Sequence, residues 1–412
     1  MSKNLLVIGF VWPEPNSTAA GSRMMQLLEL FITKNYTVTF VSSASKNRNS
    51  YNLKELNIQS YEILLNDSSF DILLEKINPK IVLFDRFLTE EQFGWRVNEI
   101  CPSAIRILDT EDLHFLRDAR KTAHKNNVPV SQNVLMNDRA KREIASIYRC
   151  DLSLIISKFE LKLLISTFKI PKSILKYVPF LMNKIDQSTL KAYPSFTERA
   201  HFITIGNFKH APNLNSVLYL KKYIWPIITK KLPQAQMHIY GAYVSESVKN
   251  LHNEKENFLI KGWAPNKKDA FKNTRVCLAP IQFGAGLKGK LIDAMQYGTP
   301  SVTTSIGAEA MHNSLPWNGY IEDSVDKFAE KSVKLYTDVD CWYASQQFGV
   351  KIINKCYSKE KYGGKLIKYI NKIQEAIELH RLKNFTGAML LHHSLKSTKY
   401  MAKWIEEKNK LK

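Results

Sequence analysis

The sequence predicts an α/β protein built from two parallel-sheet domains in tandem, facing a central cleft and followed by C-terminal helices. Three observations carry this. Short apolar runs alternate with helical patterns through residues 3–182, the rhythm of βαβ units. The alternation stops over a polar stretch at 183–199, NKIDQSTLKAYPSFTER, and then starts again. The second series contains strand, glycine loop, short helix, turn and strand in direct succession at 280–304, PIQFGAGLKGKLIDAMQYGTPSVTT.

The first series opens on LLVIGFVW, continuously apolar as a buried parallel strand should be. The run also mimics a short signal peptide, but a helix and a second strand follow in βαβ order, which favours the strand. The loop PEPNSTAAGS leads to RMMQLLELFITKN, whose Leu27, Leu28, Phe31 and Ile32 share a face, with Ser22 as N-cap. YTVTFVSS, YEILL, KIVLFDRF and AIRILDT read as further strands. KTAHKNNVPVSQN reads as a loop, and residues 134–149 as a helix. The opening is Rossmann-like without the GxGxxG fingerprint. After the linker come HFITIGNF, a helix at 214–230, AQMHIYG, NFLIKGW, RVCLAPI and GYIED, then helices over 324–336, 339–355 and 359–381.

A length of 412 residues suits two domains. The net charge of +21 favours anionic partners, but the basic residues are spread along the chain and no zinc-finger or RNP pattern occurs, so no specific nucleic acid is expected. Five cysteines without a CxxC read as reduced thiols and a cytoplasmic setting. No apolar run reaches the roughly 18–20 residues of a membrane span. Asp338-Val339-Asp340 has the form of a metal-binding DxD but sits between late helices, where Asp338 reads as a cap.

In the 280–304 stretch, Gly284, Gly286 and Gly289 are set among Lys288 and Lys290 at the start of a helix. Backbone N–H groups there, with two ammonium groups, suit a diphosphate. Gly284-x4-Gly289-Lys290 departs from a P-loop at its last position, where Leu291 has no hydroxyl for Mg²⁺. The segment FGAGLKGKLIDAMQYGTPSVTT resembles the donor-site segment of GT-B glycosyltransferases of the group 1, family 4 type. The resemblance implies a GT-B fold and transfer of a sugar, with retention, from a nucleotide-diphosphate donor to a hydroxyl acceptor in cell-surface glycan or glycoprotein biosynthesis. It implies no cofactor and no metal, because lysines and a helix start neutralise the leaving diphosphate.

The domains implied are 1–182 for the acceptor, a linker at 183–199, and 200–355 for the donor. A helix at 356–381 returns to the first domain, and 382–412 forms a basic amphipathic tail. Catalytic candidates are His114, Asp112, Lys288 and Lys290. Donor-binding candidates are Gly21, Gly206, Asn207, His210, Gly262, Gly284, Gly286, Asp293, Gly307 and Glu309. Family members often carry Glu-x7-Glu; here Asp293 stands at the second position and Ala285 at the first, which leaves the donor sugar open. His114 lies in the polar cluster ILDTEDLHFLRDAR, at the carboxyl end of a buried strand, where ligands bind in such sheets. The acceptor is a glycan, lipid-linked or protein-linked.

In the tail, Leu391, Leu395, Thr398, Ala402 and Ile405 form a helical seam beside Lys396, Lys399, Lys403 and Lys408. The seam either docks on protein or lies on an anionic membrane surface, which would place the protein at the inner face of the membrane. Two other classes stand beside the transferase reading: a non-catalytic polyanion- or membrane-binding protein on a tandem α/β scaffold, and a P-loop-like ATPase.

Overall fold

The structure is a computed structural model that describes residues 3–411, apart from the side chains of residues 394 and 395. The first sheet has seven parallel strands: β1 (Asn4–Gly9), β2 (Thr37–Ser42), β3 (Gln59–Glu62), β4 (Ile81–Asp85), β5 (Ile105–Asp109), β6 (Leu152–Ile155) and β7 (Leu175–Tyr177), in the order 3-2-1-4-5-6-7. The second has six: β8 (Ala200–Ile205), β9 (Met237–Tyr240), β10 (Phe258–Gly262), β11 (Thr274–Ala279), β12 (Ser301–Thr303) and β13 (Gly319–Ile321), in the order 10-9-8-11-12-13. The strand order reverses between β1 and β4 in one sheet and between β8 and β11 in the other. Such switch points open a crevice at the carboxyl ends of the strands.

Both faces of the first sheet are covered, which is why LLVI of β1 and IVLF of β4 are continuously apolar. One face packs on the helix Ala19–Thr33 and on Tyr362, Leu366, Ile370 and Ile373 of the helix Lys359–Glu375. That late helix therefore completes the core of the first domain. The other face packs on helices Ser69–Ile77, Arg86–Ile100, His114–Lys125 and Asp138–Arg149. The long helix Phe385–Lys410 lies outside them, against Arg86–Ile100 and Asp138–Arg149. The chain leaves the first domain at Met182 and returns at Ser358, and these crossings pair side by side. Met182 N–H donates to Tyr357 O at 2.7 Å, and Lys359 N–H to Met182 O at 2.9 Å.

Several local readings change. The first helix begins at Ala19, and Thr18 rather than Ser22 caps it by accepting the Gly21 N–H at 2.8 Å. Ser22 is one turn inside, its hydroxyl spent on Pro15 O. Half of the polar stretch at 121–133 is helix, since His114 runs through to Lys125. The helix expected over 134–149 is two, Gln132–Leu135 and Asp138–Arg149, each with its own cap, Ser131 and Asn137. One reading stands unchanged: Asp338 caps the helix Val339–Cys356 by accepting the Cys341 N–H.

Candidate active site

A cavity of about 580 Å³ lies between the domains, where the two switch points meet. Residues after β1 (Phe10, Val11), β4 (Arg86) and β5 (Glu111, Asp112, His114) line one side. Residues at the end of β8 (Ile205, Gly206, Asn207) and after β11 (281–290) line the other.

The donor-side wall is mostly main chain. Gly286 has φ +62°, and a Cβ there would come within 2.8 Å of the Asp112 Cβ. Glycine is thus required both for the left-handed turn and for the approach of the first domain. At Gly289 a Cβ would fall 2.5 Å from the Ala19 Cβ. The helix Gly289–Gln296 points its first turn into the cavity, with Lys288 at its N-cap position.

The two lysines differ. Lys288 is buried and donates to Gly286 O at 2.8 Å and Ala285 O at 3.4 Å, stapling its own loop. Lys290 has no carboxylate partner among the described residues and faces the cavity. Burial lowers both ammonium groups to about 8. Asp293, one turn on, is paired with Lys267 at 3.0 Å, and Lys267 also reaches Ser22 Oγ at 3.1 Å.

The first-domain wall is made of engaged side chains. Both Asp112 oxygens accept from Arg117 Nη1 at 2.5 Å, and His114 Nε2 stands 3.5 Å from Asp112 Oδ1. The Arg117 guanidinium and neighbouring imidazoles outweigh burial and hold the Asp112 carboxyl far below its usual range. His114 is lowered to about 3 by burial, despite Asp112, and is neutral. His210 stands at the N-cap position of the helix Ala211–Tyr219 without a side-chain capping bond, and is lowered to about 4 by burial and by Arg117. Glu111 is buried with Oε1 unpartnered, and its carboxyl is pushed well up by burial and by Asp109 and Asp85. Glu111 and Arg86 both have positive φ, at +60° and +70°. Such backbone is unusual outside glycine and tends to cluster at functional sites.

Two buried carboxylates hold the 110–115 segment. Glu143 accepts the N–H groups of His114 and Phe115 at 3.1 and 3.0 Å. Glu160 Oε1 accepts Leu113 N–H at 3.0 Å and, from the other domain, Gly286 N–H at 2.8 Å. Burial raises them to about 8 and about 7. Further links cross the cleft. Arg120 donates to both oxygens of Glu309 at 2.9 and 2.7 Å and to Gly284 O at 2.8 Å. Tyr243 OH donates to Glu14 at 2.8 Å.

Of the candidates named from sequence, ten line the cavity: Asp112, His114, Lys288, Lys290, Gly206, Asn207, His210, Gly284, Gly286 and Asp293. Four stand elsewhere. Gly21 packs on the main chain of Glu14. Gly262 ends β10, away from the cavity lining. Gly307 lies in the turn capped by Thr304. Glu309 is committed to Arg120. Sequence reasoning passed over Arg86, Glu14, Tyr243, Lys267, Arg120 and Glu160. Arg86 had the same signal as the Asp109–His114 cluster, a polar residue just after a buried strand; the others come from distant elements.

The fold is GT-B. Residues 199–338 match the family model of glycosyl transferases group 1. A search of curated protein sequences gave no significant match. Among solved structures, the TarM G117R mutant of S. aureus, in complex with Fondaparinux, alpha-GlcNAc-glycerol and UDP, is similar at TM-score 0.57 and 15% identity, over 73% of this chain and 58% of that one. The chain thus spans little more than half the length of that neighbour. Sucrose-phosphate synthase of Thermosynechococcus elongatus is similar at 0.67 and 13%, over 91% and 100%. Anabaena HepE in complex with UDP is similar at 0.64 and 10%, over 90% and 100%. The second domain thus matches the group 1 glycosyl transferase model, and the whole molecule shares the GT-B fold of these structures.

Proposed function

We propose that the protein transfers a sugar from a nucleotide-diphosphate sugar to a hydroxyl group of a glycan, lipid-linked or protein-linked acceptor, with retention of anomeric configuration. The observation that carries this is the Lys290 ammonium, without a carboxylate partner among the described residues, beside the first turn of Gly289–Gln296 in a cavity closed by both domains. A leaving diphosphate gathers negative charge as the glycosidic bond breaks. A preplaced ammonium and main-chain N–H groups stabilise that charge without reorganising. Lys288 keeps the loop in shape and, on releasing its carbonyls, adds a second positive charge. Asp293 and Lys267 hold the ribose end of the donor. His114, neutral, offers a ring nitrogen to the sugar, and Asp112, itself held by Arg117, stands beside its Nε2 and fixes its orientation. The acceptor hydroxyl enters from the first-domain side, near Arg86 and Glu111. Exclusion of water by the interdomain links limits hydrolysis of the donor.

UDP in two of the similar structures and alpha-GlcNAc-glycerol in one support a nucleotide-sugar donor and a glycan acceptor. A role in cell-surface glycan or glycoprotein synthesis and a cytoplasmic setting belong to the same proposal. The setting is supported by five free cysteines. Neither a cofactor nor a metal is assigned a part in it. The test is calorimetric titration with UDP and GDP, followed by a screen of nucleotide sugars for thermal stabilisation. Micromolar binding of one diphosphate is expected; absence of binding to both sinks the proposal. The anomeric configuration of the product, read by NMR coupling, decides retention.

A further inference from the structure

The tail seam named from sequence is the docked side of its helix. Leu391 and Ala402 pack on Trp95; Leu395 lies outside the described side chains. Arg381, just before the helix, donates to both Asp151 oxygens and to Pro102 O and Ala104 O. Asn384 Nδ2 reaches Tyr148 O at 2.7 Å, Arg96 pairs with Glu406 at 3.3 Å, and Lys399 pairs with Glu99. The helix Phe385–Lys410 is therefore fixed to the first domain along one side and does not need to detach to present the other.

That other side is apolar as well. Met389 and Tyr400 each precede a docked residue, Leu391 and Ala402, by two positions. At about 100° per residue this places them on the far side of the helix. Phe385 is 77% exposed, Tyr400 64%, Trp404 60%, Met401 58% and Met389 47%. Single exposed apolar side chains are ordinary, but five large ones on one helix form a patch that needs a partner. Lys396, Lys403 and Lys408 are interleaved with them, Lys408 lying 5.1 Å from the Trp404 ring centroid. The one acidic residue amid this face, Glu407, is paired with Lys410 at 2.7 Å.

We propose that this outer face seats the protein on an anionic lipid bilayer, with Trp404, Tyr400 and Met401 at the headgroup level and the lysines against lipid phosphates. Aromatic rings with one wet edge favour that depth, and lysine stems reach from apolar surface to charge. A basic rim complements an anionic leaflet rather than an apolar protein groove. The helix lies in the interface and does not cross it. No described helix is long and apolar enough to span a membrane.

The test is flotation of the full chain with vesicles of phosphatidylcholine alone or with 30% phosphatidylglycerol, at low and high salt. Preferential binding to the anionic vesicles is expected, weakening at high salt. Tyr400→Ser, Met401→Ser and Trp404→Ser together, or Lys396→Glu, Lys403→Glu and Lys408→Glu together, should each lower it about tenfold. Melting temperature and nucleotide-diphosphate affinity should stay unchanged. With Trp263→Phe as background, Trp404 is the one exposed tryptophan among the described residues, and its emission should shift blue on vesicles. Equal binding to both vesicle types, or an unaffected serine variant, overturns the proposal. So does a wild-type dimer that the serine variant turns into a monomer, since the face would then bind a second copy.

Discussion

One wall of the cavity offers main chain and an ammonium with no carboxylate partner among the described residues; the facing wall offers side chains that, Glu111 apart, already satisfy one another. On the donor side, the 284–290 loop and the start of Gly289–Gln296 present N–H groups beside Lys290. On the first-domain side, Asp112 is held by Arg117, and the N–H groups of the segment around it are held by Glu143 and Glu160. The first arrangement is ready to take up an anion. The second is a preset frame whose charges are neutralised before substrate arrives, which suits orienting hydroxyl groups more than binding charge. Substitutions on the two walls should therefore fail differently.

The largest effect is expected at Lys290. Lys290→Ala should lower kcat/KM by about 10²–10³, equivalent to ~3–4 kcal/mol of lost charge stabilisation, and weaken diphosphate binding while leaving the melting temperature unmoved. Parallel titrations of both proteins check it. A fall in stability with unchanged affinity would place Lys290 in the scaffold instead.

Asp112→Asn should do the reverse. It leaves the Arg117 guanidinium buried without its carboxylate, so about 3 kcal/mol of stability is expected to go, with diphosphate affinity retained. Chemical denaturation beside calorimetry separates the two readouts.

Glu160 touches both walls through one oxygen. Glu160→Gln keeps the shape and removes the charge, and a loss of about tenfold in kcat is expected because a neutral amide oxygen accepts more weakly and holds the glycine loop and the 110–115 segment less firmly in register. Its carboxyl, raised to about 7 by burial, should give the wild-type pH–rate profile a limb near neutrality that the variant lacks. An identical profile in both proteins would remove Glu160 from the mechanism.

The smallest effect concerns His210. Folded, it stays neutral down to about 4; unfolded, it takes a proton below about 6.5. The unfolded state then binds more protons, so stability is lost as pH falls through this window. His210→Asn should lose about 1 kcal/mol less than wild type between pH 7 and 5.5, measured by denaturant midpoints.

The same contrast explains what could be read from the chain. The glycine loop was legible because its function lies in the backbone, and backbone demands leave glycines and a capped helix at fixed spacing. Lys288 and Lys290 look alike in sequence; only the fold shows that Lys288 folds back onto Gly286 O while Lys290 does not. The first-domain wall was half legible. Asp112 and His114 follow a strand, but Glu143, Glu160 and Arg120 lie on helices whose other residues pack the core, and nothing local marks them. Glu309 read as a donor ligand because of its place after β12, yet its partner Arg120 is 189 positions away. The tail was legible on its docked side. The 4-3-4-3 seam was real and marked the docked side; Phe385, Met389, Tyr400 and Trp404, spaced 4, 11 and 4, repeat the helical period on the opposite face.

The paired crossings at Met182 and Ser358 also constrain motion. Because both covalent connections run through one narrow line, the domains can separate by rotation about that line, like covers about a spine. Displacement then grows with distance from it. The bonds from Glu160 to Gly286, from Arg120 to Glu309 and Gly284, from Tyr243 to Glu14 and from Lys267 to Ser22 are among those such a rotation would part. A donor bound across the cleft should bring the halves together, read as a smaller radius of gyration in solution scattering, and no shrinkage on saturation would show that the spine does not bend.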